Sequence, residues 1–300
     1  MPLIENLSSE EYHGRENTYS SSQLKDLLDD PDLFYKKYVA KTIEREETPA
    51  FDIGTYFHTA ILEPHKLKLD CAVFEGIRRG KEWDKFKEDN KGKAIITKSE
   101  LETAKKLIES VKNSPMAMGR IGRGSPEIST FLDLFVCGSD IYCLDNDSIL
   151  GKFGWEKAKK FPSKGTKITM KARADLLAED FILDLKSTTG NAKSEYSMRS
   201  KISNYNYDLS ASLYLDLFTA STGKTVSEFV WVFASKDYFN SKTYIASEDN
   251  ILVGRAKWKK AVLNLAEGIQ EDWKFQDTIG ILRPQPHELE WIKEQGKDLL

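Results

Sequence analysis

The residues of this chain best suited to chemistry lie in one stretch, KARADLLAEDFILDLKST, from Lys171 to Thr188. Its alternating texture predicts a β-hairpin turning at Glu179 and Asp180. Side chains alternate along a strand, so that register sets Asp175 across from Asp184 and Arg173 across from Lys186. Carboxylates opposed at Cβ separations of roughly 4.5–5.5 Å destabilise a ladder unless something neutralises them. A divalent cation gripped between their oxygens would do so, and hard oxygen ligands favour Mg²⁺, with Mn²⁺ also acceptable. Lys186, beside Asp184, could hold or help deprotonate an attacking water and offset developing negative charge. Together these groups suit metal-assisted hydrolysis of a phosphodiester. Charged residues on an exposed hairpin face are the plainer reading of the same pattern, and a slip of one residue would dismantle the constellation.

Several elements must position that hairpin. TYSSSQLKDLL predicts a helix with Ser20 as N-cap, Gln23 completing a capping box, and Tyr19 and Leu24 as a staple; Pro31 opens a second short helix. PAFDIGTYFHTAILEP is apolar at helical spacing and stopped by Pro64, and it carries His58. Residues from about Asp70 to Gly92, including RRGKEW, read as irregular and charged. KSELETAKKLIESVKNSP predicts a helix capped by Ser99 and Glu102. EISTFLDLFVCGSDIYCL predicts a hairpin turning near Gly138 and Ser139, followed by a loop from Asp145 to Thr166. After the central hairpin come the helix YDLSASLYLDLFTAST, the strands EFVWVFAS and KTYIAS, and a long helix from ILVGRAKWKK onward. This order predicts an α/β fold, a central mixed β-sheet flanked by helices. The expected organisation is one unit over 1–300: a mainly helical part over 1–115, a sheet core over 120–250 and C-terminal helices over 251–300.

The chain has 300 residues, 40% of them hydrophobic, enough for a substantial core. It has no apolar run approaching a membrane span, and Met1 to Asn17 lacks the basic start and apolar stretch of a signal peptide, so a cytoplasmic location and no membrane partner are expected. Three cysteines without C-x-x-C spacing argue against a disulfide framework and a zinc site. The net charge of −3 does not by itself announce a nucleic-acid binder. Locally, however, Lys152, Lys157, Lys159, Lys160, Lys164, Lys167, Lys171 and Arg173 stand against the single acid Glu156 between Gly151 and Arg173, interleaved with Phe153, Trp155 and Phe161. Such a stretch suits phosphate contact with base stacking, or it is a solvated loop.

Asp175 followed by Asp184-Leu185-Lys186 resembles the core of the PD-(D/E)XK nuclease superfamily. Several ordered motifs bring the likeness closer to RecE-type (exonuclease VIII-like) phage exonucleases. YSSSQLKDLLDDPDLFYKKY is similar to their N-terminal helical pair, FDIGTYFHTAILEP to their G-T-x-x-H-x-x-x-L-E-P segment, RRGKEW to the basic loop after it, and GSPEIS to a glutamate-bearing strand start. KARADLL and ILDLKSTT match the catalytic hairpin. The resemblance implies a restriction-endonuclease-like core in which His58, Asp175, Asp184 and the backbone carbonyl of Leu185 hold the metal. It also implies that Lys186 is the catalytic lysine and that Glu127 lies near the active site. One motif departs: the family's Q-x-x-x-Y has Ser210 in the glutamine place and keeps Tyr214.

The implied activity is Mg²⁺-dependent exonucleolytic digestion of linear duplex DNA, 5′ to 3′, in phage-type recombination. The implied partners are DNA ends, a single-strand annealing protein and further copies of the chain in a homo-oligomer. Candidate DNA contacts are Arg78, Arg79 and Lys81 for an end phosphate, Lys171 and Arg173 for the backbone near the cut, and Tyr214. A single-strand or flap-specific nuclease of the same superfamily is the neighbouring alternative, although an iron–sulfur member is disfavoured by the cysteine pattern. A non-catalytic DNA-binding module is the alternative from another class.

Overall fold

The computed structural model describes residues 3–43 and 49–274; the C-terminal helix expected beyond 274 lies outside the described residues. In chain order the elements are α1 (Ser9–Gly14), β1 (Thr18–Tyr19), α2 (Ser21–Asp29), α3 (Pro31–Phe34), α4 (Pro49–Leu62), α5 (Leu67–Asp70), β2 (Cys71–Phe74), α6 (Lys81–Asp89), β3 (Ala94–Thr97), α7 (Lys98–Lys112) and α8 (Pro115–Ile121). Then follow β4 (Ser125–Cys137), β5 (Asp140–Cys143), β6 (Ser148–Leu150), β7 (Trp155–Lys157), β8 (Thr166–Leu177), β9 (Phe181–Thr188), α9 (Glu195–Asn204), α10 (Tyr207–Thr222), β10 (Glu228–Ser235), β11 (Ser241–Ile245) and α11 (Glu248–Gln270).

The expected α/β architecture is present as one mixed sheet in the order β11-β10-β9-β8-β4-β5-β6-β7, with β1 joined to β8 and helices on both faces. A separate pair, β2 and β3, is parallel. β10 is an inner strand, paired with β11 and β9, and its unbroken apolar run is buried on both faces. Phe229, Trp231 and Phe233 enter one core with residues of α2, α10 and α11, while Val230, Val232 and Ala234 enter a second core with Phe57 of α4, Leu107 of α7 and Ala117 of α8. Helices α10 and α11 approach so closely that a Cβ on Gly254 would lie 2.0 Å from the Asp208 carbonyl oxygen. Beside this crossing, the buried Asp216 accepts from Arg255 Nε at 2.8 Å and Trp258 Nε1 at 3.0 Å.

Local signals place most boundaries. Gln23 Oε1 accepts the Ser20 N–H at 2.8 Å, Asp30 caps the short helix opened by Pro31, and Gly223 ends α10 at φ +69°. Three expectations are corrected. The cap of α7 is Thr97 with Glu100, two residues before the predicted pair, because Glu100 Oε2 takes the Thr97 N–H at 2.7 Å while Glu102 is turned outward to Lys105. The supposedly irregular Asp70–Gly92 segment contains β2 and α6, because Phe74, Trp83 and Phe86 pack their rings together. The supposed Asp145–Thr166 loop contains the β6–β7 hairpin, which Trp155 Nε1 fastens to the Asp216 carbonyl at 2.9 Å.

The central hairpin forms in the predicted register but does not run to its predicted length. β8 and β9 pair only at Leu176↔Leu183 and Leu177↔Ile182. Beyond them the strands part: β9 continues along β10, from Phe181↔Glu228 to Thr188↔Ser235, and β8 continues along β4. β1 takes up the released edge of β8 at Thr169 and Met170. The expected ladder pairs Asp175–Asp184 and Arg173–Lys186 are therefore not formed. The face of β8 also changes at Asp175, since Leu176 belongs to the core under α4 and Ala174 and Ala172 to the core under α10.

Candidate active site

The point where β8 and β9 part is where the predicted residues collect. Asp175 reaches across the opening, and its Oδ2 accepts the backbone N–H of Leu185 at 2.8 Å, replacing the ladder bond lost by the splay. His58, on α4, brings Nδ1 to 3.5 Å from the same oxygen. From β9, Asp184 Oδ1 accepts from Lys186 Nζ at 2.6 Å. His58, Asp175, Asp184 and Lys186 are thus brought together, and Leu185 holds the Asp175 carboxylate through its N–H. The carboxylates of Asp184 and Asp175 both raise Lys186.

Glu127 joins them from β4. Its neighbours Pro126 and Ile128 pair with Leu176 and Ala174, so it stands opposite Asp175, and its backbone has φ +53°. A left-handed glutamate within a strand is uncommon, and such conformations gather at functional sites. Burial first, then the Asp175 charge, push the Glu127 carboxyl up to about 7, against the pull of Arg173, whose Nη1 lies 3.8 Å away. Burial likewise raises Asp184, with Asp175 adding to it and Lys186 opposing. Lys186 itself is driven upward: burial works against its charge, but Asp184 and Asp175 outweigh it and keep the ammonium protonated.

Among the described residues, no three His, Cys, Asp or Glu side chains are gathered tightly enough to hold an ion as they stand; Asp175 and Asp184 are instead satisfied by Leu185 and Lys186. The donors nonetheless fit a hard divalent cation. They are carboxylate oxygens with one imidazole, and burial, with the charge of Asp175 added to it, raises the carboxyls of Glu127 and Asp184, a cost of charge that such an ion would offset.

The predicted DNA contacts fall into two groups. Arg79 and Lys81 are exposed. Arg78 is a brace: Nη1 donates to Asp52 at 3.2 Å, and Nη2 to Glu100 at 2.8 Å and the Ile95 carbonyl at 2.7 Å. Lys171 is buried, its Nζ donating to the Tyr12 carbonyl at 2.9 Å, and Arg173 donates to Ser129 Oγ and the Leu7 carbonyl. Tyr214 lies half-buried with its hydroxyl bonded to Ser21, and burial raises it to about 12. These four have internal partners in place of open phosphate contacts.

Residue-type reasoning passed over Glu63, Lys25 and Tyr207. Glu63, inside the quoted L-E-P motif, is bonded to Lys66 at 2.7 Å, and its charge adds to the upward push on Glu127. Lys25 and Tyr207 approach from α2 and α10, with Lys25 Nζ 5.2 Å and Lys186 Nζ 5.7 Å from the Tyr207 ring centroid. Helix patterning gives all three plain packing or surface roles, and only the tertiary fold brings them here.

A mixed sheet opened between two antiparallel strands, with Asp, Asp-x-Lys and a neighbouring Glu in the opening, defines the PD-(D/E)XK class. The chain belongs to the family described as PDDEXK-like domain of unknown function (DUF3799), which matches residues 20–274. It is similar in fold to a protein from Eubacterium rectale described as "putative exonuclease", at 14% identity and TM-score 0.57, over 96% of this chain and 98% of that one. A protein named SSO0001 aligns over 70% of this chain and 86% of its own at 14% identity, with a TM-score of 0.26. No curated protein matches the sequence. Among the described residues, no helix is long and apolar enough to cross a membrane.

Proposed function

We propose that this chain is a divalent-metal-dependent deoxyribonuclease that digests linear DNA from its ends. The observation that carries the reading is the set of ionic groups in one opening of the sheet: Asp175 bridging to the Leu185 N–H, and Asp184 bonded to Lys186. Burial raises the Asp184 carboxyl and the nearby Asp175 charge adds to it, and a fold needs no such cluster of ionisable groups for its own sake. The description of the Eubacterium rectale protein that shares the fold agrees with it.

Asp175, Asp184, the Leu185 carbonyl and His58 would hold the ion, Mg²⁺ in the first instance and Mn²⁺ as a substitute. Bound there, it would polarise the phosphodiester and offset charge developing on it. Lys186, protonated between two carboxylates, supplies a second positive charge toward the scissile phosphate. Glu127 exchanges its proton near neutral pH and is suited to pass one between solvent and the reacting oxygens. Arg79 and Lys81, exposed at the start of α6, are the candidates for a phosphate at the DNA end.

The RecE-type resemblance extends the reading to 5′ to 3′ resection of duplex ends in phage-type recombination, in the cytoplasm, by a single-unit chain assembled as a homo-oligomer. The 3′ single strand left behind would pass to an annealing protein. The experiment is digestion of linear duplexes blocked at one 5′ or one 3′ end, with and without Mg²⁺. Nucleotide release only with Mg²⁺, and only from open 5′ ends, is expected. Release from open 3′ ends alone reverses the polarity. No release with either Mg²⁺ or Mn²⁺ from duplex or single strands means a non-catalytic DNA-binding module.

A further inference from the structure

A path of rings and ammonium groups leads from the candidate site to the surface. At its inner end the Tyr207 ring has two lysines of different elements close to it, Lys186 of β9 and Lys25 of α2. Lys25 forms no ion pair among the described residues, although the charges of Asp184 and Asp208 reach it. Tyr205 stacks on Tyr207, with centroids 5.6 Å apart and planes 26° from parallel. The residue between them, Asn206, has φ +48°, a left-handed turn that asparagine tolerates better than most residues. At the outer end Lys201 Nζ lies 5.6 Å from the Tyr205 centroid and donates to Thr189 Oγ1 at 2.9 Å, directly after β9.

Core packing does not account for Tyr205, which is 53% exposed. Rings that present a face, with cations placed along them, are what an unpaired strand requires: each base has a free π-face to stack and each phosphate a charge to neutralise. Bases within a duplex are already stacked on their neighbours and offer Tyr205 no such face.

We propose that Tyr205 and Tyr207, with Lys25 and Lys201, form a track that binds an unpaired DNA strand and leads it to the Asp184–Lys186 centre. The track deepens the nuclease reading and rests on it for its direction. The competing surface is the β6–β7 hairpin, where Phe153 is 66% exposed and Lys152 Nζ lies 5.1 Å from its ring. That hairpin occupies the opposite edge of the sheet from β10 and β11.

The test is fluorescence anisotropy of the full chain with a labelled oligothymidine in EDTA, so that binding is read without cleavage. Tyr205→Ala is expected to weaken binding roughly tenfold or more, and Tyr205→Phe to keep it, because the ring face does the stacking. Lys201→Ala should reduce the slope of log affinity against log salt by about one, and Phe153→Ala should change nothing. Unchanged affinity in Tyr205→Ala, no oligothymidine binding by the wild type, or loss confined to Phe153→Ala overturns the track. Should the wild type cleave duplex ends while Tyr205→Ala binds normally, the track falls and the nuclease stands. Should binding depend on Tyr205 while no metal yields cleavage, the nuclease reading falls and the track remains as a single-strand binding site.

Discussion

Removing the Lys186 ammonium and removing the Asp184 carboxylate should not have the same effect, although the two share a hydrogen bond. Lys186→Ala leaves the carboxylates in place and takes away only the charge proposed to face the phosphate, so cleavage should vanish while DNA affinity changes little. Asp184→Ala removes a proposed ligand and frees Lys186, so cleavage should vanish together with any Mg²⁺-induced rise in melting temperature. Gel assays for cleavage and melts with and without Mg²⁺ separate the two, and full activity in either variant would contradict the mechanism. Glu127 makes a second prediction through pH. Its carboxyl is raised from 4.5 to about 7 in the folded chain. The stability of its neutral form is therefore complete below about pH 4.5 and lost as pH rises through about 7, up to roughly 3 kcal/mol by linkage. Glu127→Gln cannot ionise. Its melting temperature relative to the wild type should rise between pH 5 and pH 8, and a constant difference would show that Glu127 is not held neutral.

At the scale of elements, Arg78 and Arg79 are neighbours in sequence with different work to do. Arg78 joins Asp52 of α4, Glu100 of α7 and the Ile95 carbonyl of β3 through one guanidinium. Arg78→Ala should leave two half-buried carboxylates without their cation and cost about 2–4 kcal/mol in denaturant melts. Arg79→Ala should leave stability unchanged and weaken binding to DNA ends. Equal melting of the two variants would rule out the brace. The basic pair was legible in RRGKEW, but which arginine is used internally was not, because Asp52 and Glu100 are distant in sequence. The same limit explains the site. The register of the hairpin could be read from its alternation and turn, since both are local. Its splay could not, because that depends on β10 taking β9 and β1 taking β8. Helices were read well where caps and prolines stand at their starts, as at Ser20 and Pro31. They were misread at α6, whose Trp83 and Phe86 are held by Phe74 of β2.

Across the whole molecule, the N-terminal segment acts as a cover beside the candidate site. Ile4 bridges to Ser129 at the edge of β4, the Leu7 and Ser8 carbonyls receive Arg173, and the Tyr12 carbonyl receives Lys171. The Tyr12 ring lies 4.3 Å from the Arg173 guanidinium and 5.0 Å from Lys171 Nζ, and Arg15 lies 3.9 Å from the Phe131 ring beside it. Two cations next to the site are thus shut in by backbone that precedes β1. A chain beginning at Thr18 keeps β1 and the residues of the opening but takes the acceptors from both cations. A buried ammonium without its partner is costly, so this shortened chain should melt several degrees lower. Its freed lysine and arginine should also strengthen binding to duplex DNA at low salt, steepening the slope of log affinity against log salt by about two. Melting curves and anisotropy titrations over a range of KCl concentrations test both effects on the same samples. Lower stability with an unchanged salt slope would mean that Lys171 and Arg173 serve only to hold the cover in place, and that the DNA backbone runs elsewhere.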